Sequence, residues 1–212
     1  MNSPLLYEGK KDRTESQIFN FFKYFELAKV DASIATFYTV HGGLFKQAIL
    51  VGGSQAQIDR WIPKAESFDI QGCFGLTEPL HGSDIAGGLS TTAEKVGETW
   101  ILNGEKRWIG GAATADEIPI FARDKADGKV KAFIVPGKAE GLHVEKIEGK
   151  IALRMVQNGH ITLKNVKVSE ERRLPRIQSF KDVAEILKRT RAEISYLATG
   201  ISAGAFEAAL AY

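Results

Sequence analysis

Residues 74–84, FGLTEPLHGSD, place a Thr, a Glu, a His, a Ser and an Asp around two glycines and a proline. Glycine lets backbone amides approach a ligand closely, and the Thr77 and Ser83 hydroxyls can donate to a carbonyl or phosphate oxygen. The same pattern also suits a plain turn between strands, with Glu78 and Asp84 as loop anchors. Further along, residues 104–112 read GEKRWIGGA, so that Trp108 closes a basic run and leads into small residues. An indole there can lie against a planar cofactor with backbone N–H groups beside it, or pack into a core as strand tryptophans commonly do. The four histidines, His41, His81, His143 and His160, show neither a metal-ligand spacing nor a nucleophile–base pairing. They read as hydrogen-bonded scaffold, and no metal site is expected.

The elements that must carry these stretches change character twice along the chain. From Thr14 to about Phe68 the pattern is helical, with Thr14 and Gln17 as a capping box and apolar positions at Ile18, Phe21, Phe22, Phe25, Leu27 and Val30. A second helix is expected from Ala32 to Leu50, stopped by Gly52 and Gly53. Ser54 with Gln57 then caps a short helix ending near Pro63. From Ile70 to about Val168 come the short alternating runs TWILN, IPIFAR, KAFIVP, LHVEKI and HITLKNVKV, with turn signals at Asn103-Gly104, Asp127-Gly128 and Gly141. That spacing predicts an antiparallel barrel or sandwich. Beyond Pro175 the chain is helical again from about Phe180, and the last helix reaches AALAY without a capping residue, as though cut. The expected class is α+β, divided at 1–69, 70–175 and 176–212.

At 212 residues and 44% hydrophobic, the chain can bury a core. Its 28 basic and 26 acidic residues nearly balance, which gives no reason to expect nucleic acid or an anionic membrane as partner. Cys73 stands alone, so no intramolecular disulfide forms. The N-terminal stretch lacks the apolar region of a signal peptide, and no membrane span is expected. A soluble intracellular protein follows as the expectation, in the cytoplasm or an organelle matrix, with mitochondrion and peroxisome not separable.

Five segments in order, ELAKVDASIATFYTVH, CFGLTEPLHGSD, KRWIGGAATAD, GKIALRMVQNGHITLKNVKVSEERRL and TRAEISYLATGISAGAFEAALAY, resemble the acyl-CoA dehydrogenase and acyl-CoA oxidase flavoproteins. Within that family RMVQNG and RWIG are most similar to short-chain acyl-CoA oxidases and glutaryl-CoA-dehydrogenase-like members. The resemblance implies an N-terminal helical domain, a middle β-barrel and a C-terminal helical domain of which only the first helix is present, hence a fragment. It implies FAD as cofactor and desaturation of a fatty acyl-CoA by proton abstraction and hydride transfer. On it, Phe74, Gly75, Leu76, Thr77, Gly82 and Ser83 form the flavin strand and loop. Trp108, Ile109 and Gly110 pack along the flavin, while Ser83, Thr190 and Arg191 face the acyl-CoA.

The departures narrow the expectation. Gly110 stands where most dehydrogenases of the family have Thr or Ser, which leaves space beside flavin N5 and admits an oxidase passing electrons to O2, against an electron-transfer flavoprotein as acceptor. Ala35 and Thr36 stand where glutaryl-CoA enzymes keep an Arg, so an apolar acyl chain is expected. The catalytic base is expected beyond Tyr212, with Glu193 as the in-chain fallback and a solvated helix Glu as its ordinary reading. A non-catalytic FAD- or CoA-binding module is the other class. The full-length protein is expected to be a homo-oligomer.

Overall fold

A computed structural model describes residues 13–212, with side chains from residue 18 onward. Any cap formed by Thr14 and Gln17 lies outside the described side chains. Helix α1 (Arg13–Val30) leads through the cap residue Asp31, which accepts from the Ser33 and Ile34 amides, into α2 (Ala32–Tyr38). The expected second helix is continuous in space, but its middle, Thr39–Phe45, winds as a π-helix before α3 (Lys46–Gly52). Ser54 and Gln57 make the expected capping box of α4 (Gln55–Glu66). That helix passes through Pro63 rather than ending there. Proline there forfeits its own N–H bond and crowds the carbonyl of Asp59 one turn back, a cost the helix bears for its last three residues.

The expected strand runs all lie in one six-stranded sheet of order β4-β3-β1-β2-β6-β5, made of β1 (Thr92–Val96), β2 (Thr99–Ile109), β3 (Glu117–Asp124), β4 (Val130–Pro136), β5 (Leu142–Lys146) and β6 (Gly159–Ser169). The short helix α5 (Ile85–Gly88) precedes β1. Pairing is antiparallel except between β1 and β3, which run parallel. Asn103-Gly104 is not a turn. It sits inside β2 as a bulge opposite β6, with Gly104 at φ 144° and Thr91 so close that a Cβ would lie 2.6 Å from its hydroxyl. The turn chemistry of Asn-Gly gave way to a close backbone approach that only glycine allows.

One core lies between the helical layer and the sheet, joining Phe45, Ile49 and Trp61 to Phe74, Phe121 and Ile134, with Val183 and Ile186 of α6 (Phe180–Ala211) closing it. A second fills the opposite side of the sheet around Trp100, Leu102, Phe133 and Ile161. Helix α6 starts from a capping box of Ser179 and Asp182, then crosses α1 where Gly200 lies so near Phe25 that a Cβ would sit 2.3 Å from its carbonyl oxygen. The buried face of α1 is therefore Tyr24 and Ala28, while Ile18, Phe22 and Val30 of the expected apolar set stay exposed. By length and composition alone, the 32-residue α6 is apolar enough to cross a membrane.

Candidate functional site

The 74–78 segment runs between β3 and the end of β2. Gly75 donates to the Pro119 carbonyl at 2.9 Å and Arg107 to the Thr77 carbonyl at 2.9 Å. Beneath it Lys106 and Glu78 form an ion pair of 2.8 Å with side chains 0% and 1% exposed. Lys106 also donates to the Leu76 carbonyl (3.0 Å), and Glu78 accepts from the Ser90 amide and hydroxyl and the Thr91 amide at 2.6–2.9 Å. Burial pushes the Glu78 carboxyl up, but the Lys106 charge and these hydrogen bonds outweigh it and hold the group at about 2. Burial takes Lys106 down to about 8 against the pull of Glu78. Glu78 is thus a loop anchor but not a solvated one. Lys106 is the partner that sequence reading missed, its basic run having been read only as a prelude to Trp108.

Alternation along β2 would put Lys106 and Trp108 on one face. A register shift between Lys106 and Ile109 turns the chain instead, so that Lys106 and Ile109 are buried and Trp108 is 54% exposed. Trp108 has φ 65°, a left-handed backbone that a bulky residue rarely adopts. Its carbonyl accepts from Asn158 Nδ2 at 2.9 Å, and the Arg107 guanidinium lies 5.1 Å from its ring. The indole borders an open cleft of about 360 Å³ whose other wall is residues 147–152. A Cβ on Gly110 would stand 3.2 Å from Val156 and 3.3 Å from Val40 of the π-helix, so the space beside it is bounded rather than open.

The residues expected at a flavin separate into two groups. Phe74 and Leu76 direct their side chains into the core between the layers, Ile109 into the other core, and Gly75 is covered by Ile120 and Ile118, so these four offer backbone alone. Thr77 and Ser83 differ: among the described residues neither their amides nor their hydroxyls donate to another protein group. Gly82 has no heavy atom within 4 Å of where a Cβ would be. Unengaged donors, an uncovered glycine and a half-exposed indole on neighbouring segments fit the polar edge, pyrophosphate and ring of a flavin dinucleotide. His81 bonds Asp84 at 2.7 Å, and His41 bridges the Ala65 carbonyl and the Gly72 amide, which makes both scaffold.

Thr190 and Arg191 line a second cleft, about 290 Å³, with Thr39, Leu44, Leu187 and Ile194. The Thr190 hydroxyl donates back to its own helix at Ile186 and Leu187, whereas Arg191 is exposed. The π-helix lies between Gly110, which its Val40 abuts, and the second cleft, which its Thr39 and Leu44 wall. Glu193 does not line this cleft. Nor is it solvated: it is 9% exposed, with Oε2 lacking any hydrogen-bond partner and packed where a Cβ on Gly43 would come within 2.6 Å. Burial raises its carboxyl to about 7, against the Lys23 charge and a hydrogen bond from Tyr24.

Two family models match the chain: the acyl-CoA dehydrogenase N-terminal domain over residues 16–69 and the acyl-CoA dehydrogenase middle domain over residues 73–166. Short-chain specific acyl-CoA dehydrogenase of Mus musculus mitochondria is 32% identical over 191 residues, covering 88% of this chain and 46% of that protein. Caffeyl-CoA reductase-Etf complex subunit CarC of Acetobacterium woodii is 31% identical over 191 residues, covering 88% and 50%. A glutaryl-CoA dehydrogenase from Mycobacterium smegmatis, solved in complex with FADH2, superposes with a TM-score of 0.85 at 33% identity, covering 89% of this chain and 48% of that one. The chain spans about half the length of the curated relatives it matches.

Proposed function

Because the chain belongs to the acyl-CoA dehydrogenase family through both its helical layer and its sheet, we propose that it supplies the flavin- and thioester-facing walls of an enzyme that desaturates an acyl-CoA between Cα and Cβ. The observation that carries this reading is the π-helix Thr39–Phe45, which touches Gly110 beside the Trp108 platform and walls the cleft of Thr190 and Arg191. FAD, when bound, supplies the acceptor for the hydride that leaves Cβ. The Thr77 and Ser83 amides and hydroxyls donate to its polar edge and pyrophosphate, with the uncovered Gly82 admitting the pyrophosphate to the backbone. Trp108 backs the ring. Leu44, Leu187 and Ile194 exclude water from an apolar acyl chain, and Arg191 meets anionic oxygens of the CoA moiety.

Among the described residues no carboxylate lines the second cleft, so the group that takes the Cα proton comes from elsewhere in the protein. We assign electron delivery to an electron-transfer flavoprotein, supported by the Etf complex subunit among the relatives. The oxygen-reactive alternative loses ground because Val40 and Val156 bound the space beside Gly110. Purified protein carrying this chain is expected to retain FAD, and Trp108→Ala to loosen it by about 0.5–1.5 kcal/mol, the contribution of an aromatic platform beyond area burial. Equal flavin retention by the variant would remove Trp108 from the cofactor site. Stopped-flow reoxidation of substrate-reduced protein in air separates the acceptors: persistence of reduced flavin for minutes supports the flavoprotein partner, and immediate reoxidation supports O2.

A further inference from the structure

Lys150 lies in the loop that forms the far wall of the Trp108 cleft. Its ammonium donates to the Leu153 carbonyl at 2.7 Å, the Val156 carbonyl at 2.5 Å and Asn158 Oδ1 at 2.5 Å. Three acceptors match the three donors of an ammonium. Two of them close the loop on itself. The third acts beyond it, because an amide whose oxygen is held by a cation must turn its NH2 the other way. Asn158 Nδ2 then meets the Trp108 carbonyl at 2.9 Å, and the Gly111 amide donates to Gln157 of the same loop at 3.0 Å. Trp108, at φ 65°, needs such restraint, since a left-handed backbone in a bulky residue persists only where its surroundings impose it.

We propose that Lys150 is a positioning residue, which through Asn158 holds the Trp108 backbone in its left-handed form and so presents the indole to the cleft. Lys146 is held aside by Glu148 at 3.0 Å, and it does not compete for the Asn158 oxygen. The relay stands on the protein's own geometry. Only its consequence for FAD rests on the function proposed above.

Tryptophan fluorescence of the flavin-free protein tests it, because Trp61 and Trp100 are 2% and 5% exposed and Trp108 is 54% exposed, so acrylamide and iodide report on Trp108. Lys150→Met is expected to raise quenching of the exposed component and shift its emission to the red, while Lys150→Arg, which keeps charge and donors, restores the parental values. Asn158→Leu should produce the same change with the loop still closed by the two carbonyl bonds, which keeps the test available should Lys150→Met fail to fold. The double variant should change nothing further. Parental quenching in both Lys150→Met and Asn158→Leu, or additive effects in the double variant, overturns the relay. On FAD-loaded protein either single variant should bind FAD about two- to tenfold more weakly, the range of one lost hydrogen bond. Altered quenching with unaltered FAD affinity upholds the relay and removes the flavin from Trp108.

Discussion

Glu78 in the loop under the sheet's β2 and Glu193 in the helical layer are both buried carboxylates with a lysine nearby, and they end in opposite states. Glu78 receives hydrogen bonds from Lys106, Ser90 and Thr91 and stays ionised, held at about 2. Glu193 has a bond from Tyr24 and the charge of Lys23, while one of its oxygens faces Gly43 with no donor, and its carboxyl rises to about 7. Lys23, lowered to about 8 chiefly by burial, offers only partial compensation. Depth does not decide the charge. The number of donors delivered to the oxygens does, and the segment leading into β1 delivers the Ser90 and Thr91 amides, whereas a helix interior has already committed its amides to its own carbonyls.

Removing the donor in the sheet should have the largest effect. Lys106→Met leaves Glu78 buried without its counter-charge and is expected to destabilise the protein by about 3–5 kcal/mol in urea unfolding. Adding Glu78→Leu should recover much of that loss. A single variant within 1 kcal/mol of the parent, a bound well below that range, would show that the pair is not what keeps the loop in place.

The pH dependence should sharpen the contrast, because the two carboxylates act with opposite sign. Glu193, raised from 4.5 to about 7, is protonated in the folded protein while ionised in the unfolded chain across that window. Folding there takes up a proton, so its contribution is full below pH 4.5 and is lost as pH rises through 7, by up to about 3 kcal/mol. Glu78, lowered from 4.5 to about 2, contributes stability above pH 4.5 that is lost as pH falls towards 2. Denaturation of Glu193→Gln across pH 2–8 should lack the neutral-side decline between 4.5 and 7 and keep the acid one between 4.5 and 2. A decline that survives the substitution would assign it to other groups.

A smaller and purely steric effect is expected at Gly43. Gly43→Ala places a Cβ 2.6 Å from Glu193 Oε2 and should cost about 1–3 kcal/mol, as overpacking does. Glu193→Ala in the same chain should relieve it. If the double variant is no more stable than Gly43→Ala alone, the carboxylate does not occupy the slot at Gly43.

What the sequence revealed tracks how local the controlling interaction is. The Ser54–Gln57 cap, the five strand runs and the start of α6 are set by neighbours in the chain, and all were legible. Asn103-Gly104 misled because its geometry is imposed by Thr91, a contact between strands. Lys106 and Glu78 lie 28 residues apart and become a pair only when β2 meets the 74–78 loop. Glu193 falls on the three- and four-residue stripe of α6 that buries Val183, Ile186, Thr190, Leu197 and Gly200, so its burial was legible in the periodicity, but its charge pointed to the solvated reading. Motif resemblance supplied Thr77, Ser83 and Trp108 as candidates, and Lys150 and Asn158 lie in the resembling stretch GKIALRMVQNG too, but their bond to each other emerges only from the loop that joins them.

The π-helix also fixes the phase between the two ends of one continuous rod. Wide turns over Thr39–Phe45 delay the helical rotation, so that Val40 faces Gly110 while Phe45 and Ile49 still point into the core. Shortening this stretch by one residue would advance everything after it by about 100°, the angle per residue of an α-helix. Phe45 and Ile49 would leave the core, and Lys46 would lose Glu66, its ion-pair partner at 2.9 Å. Insertions and deletions here are therefore not local events, whereas substitutions that respect the glycines are. Sequence length through this segment is a constraint as strict as any side chain in it.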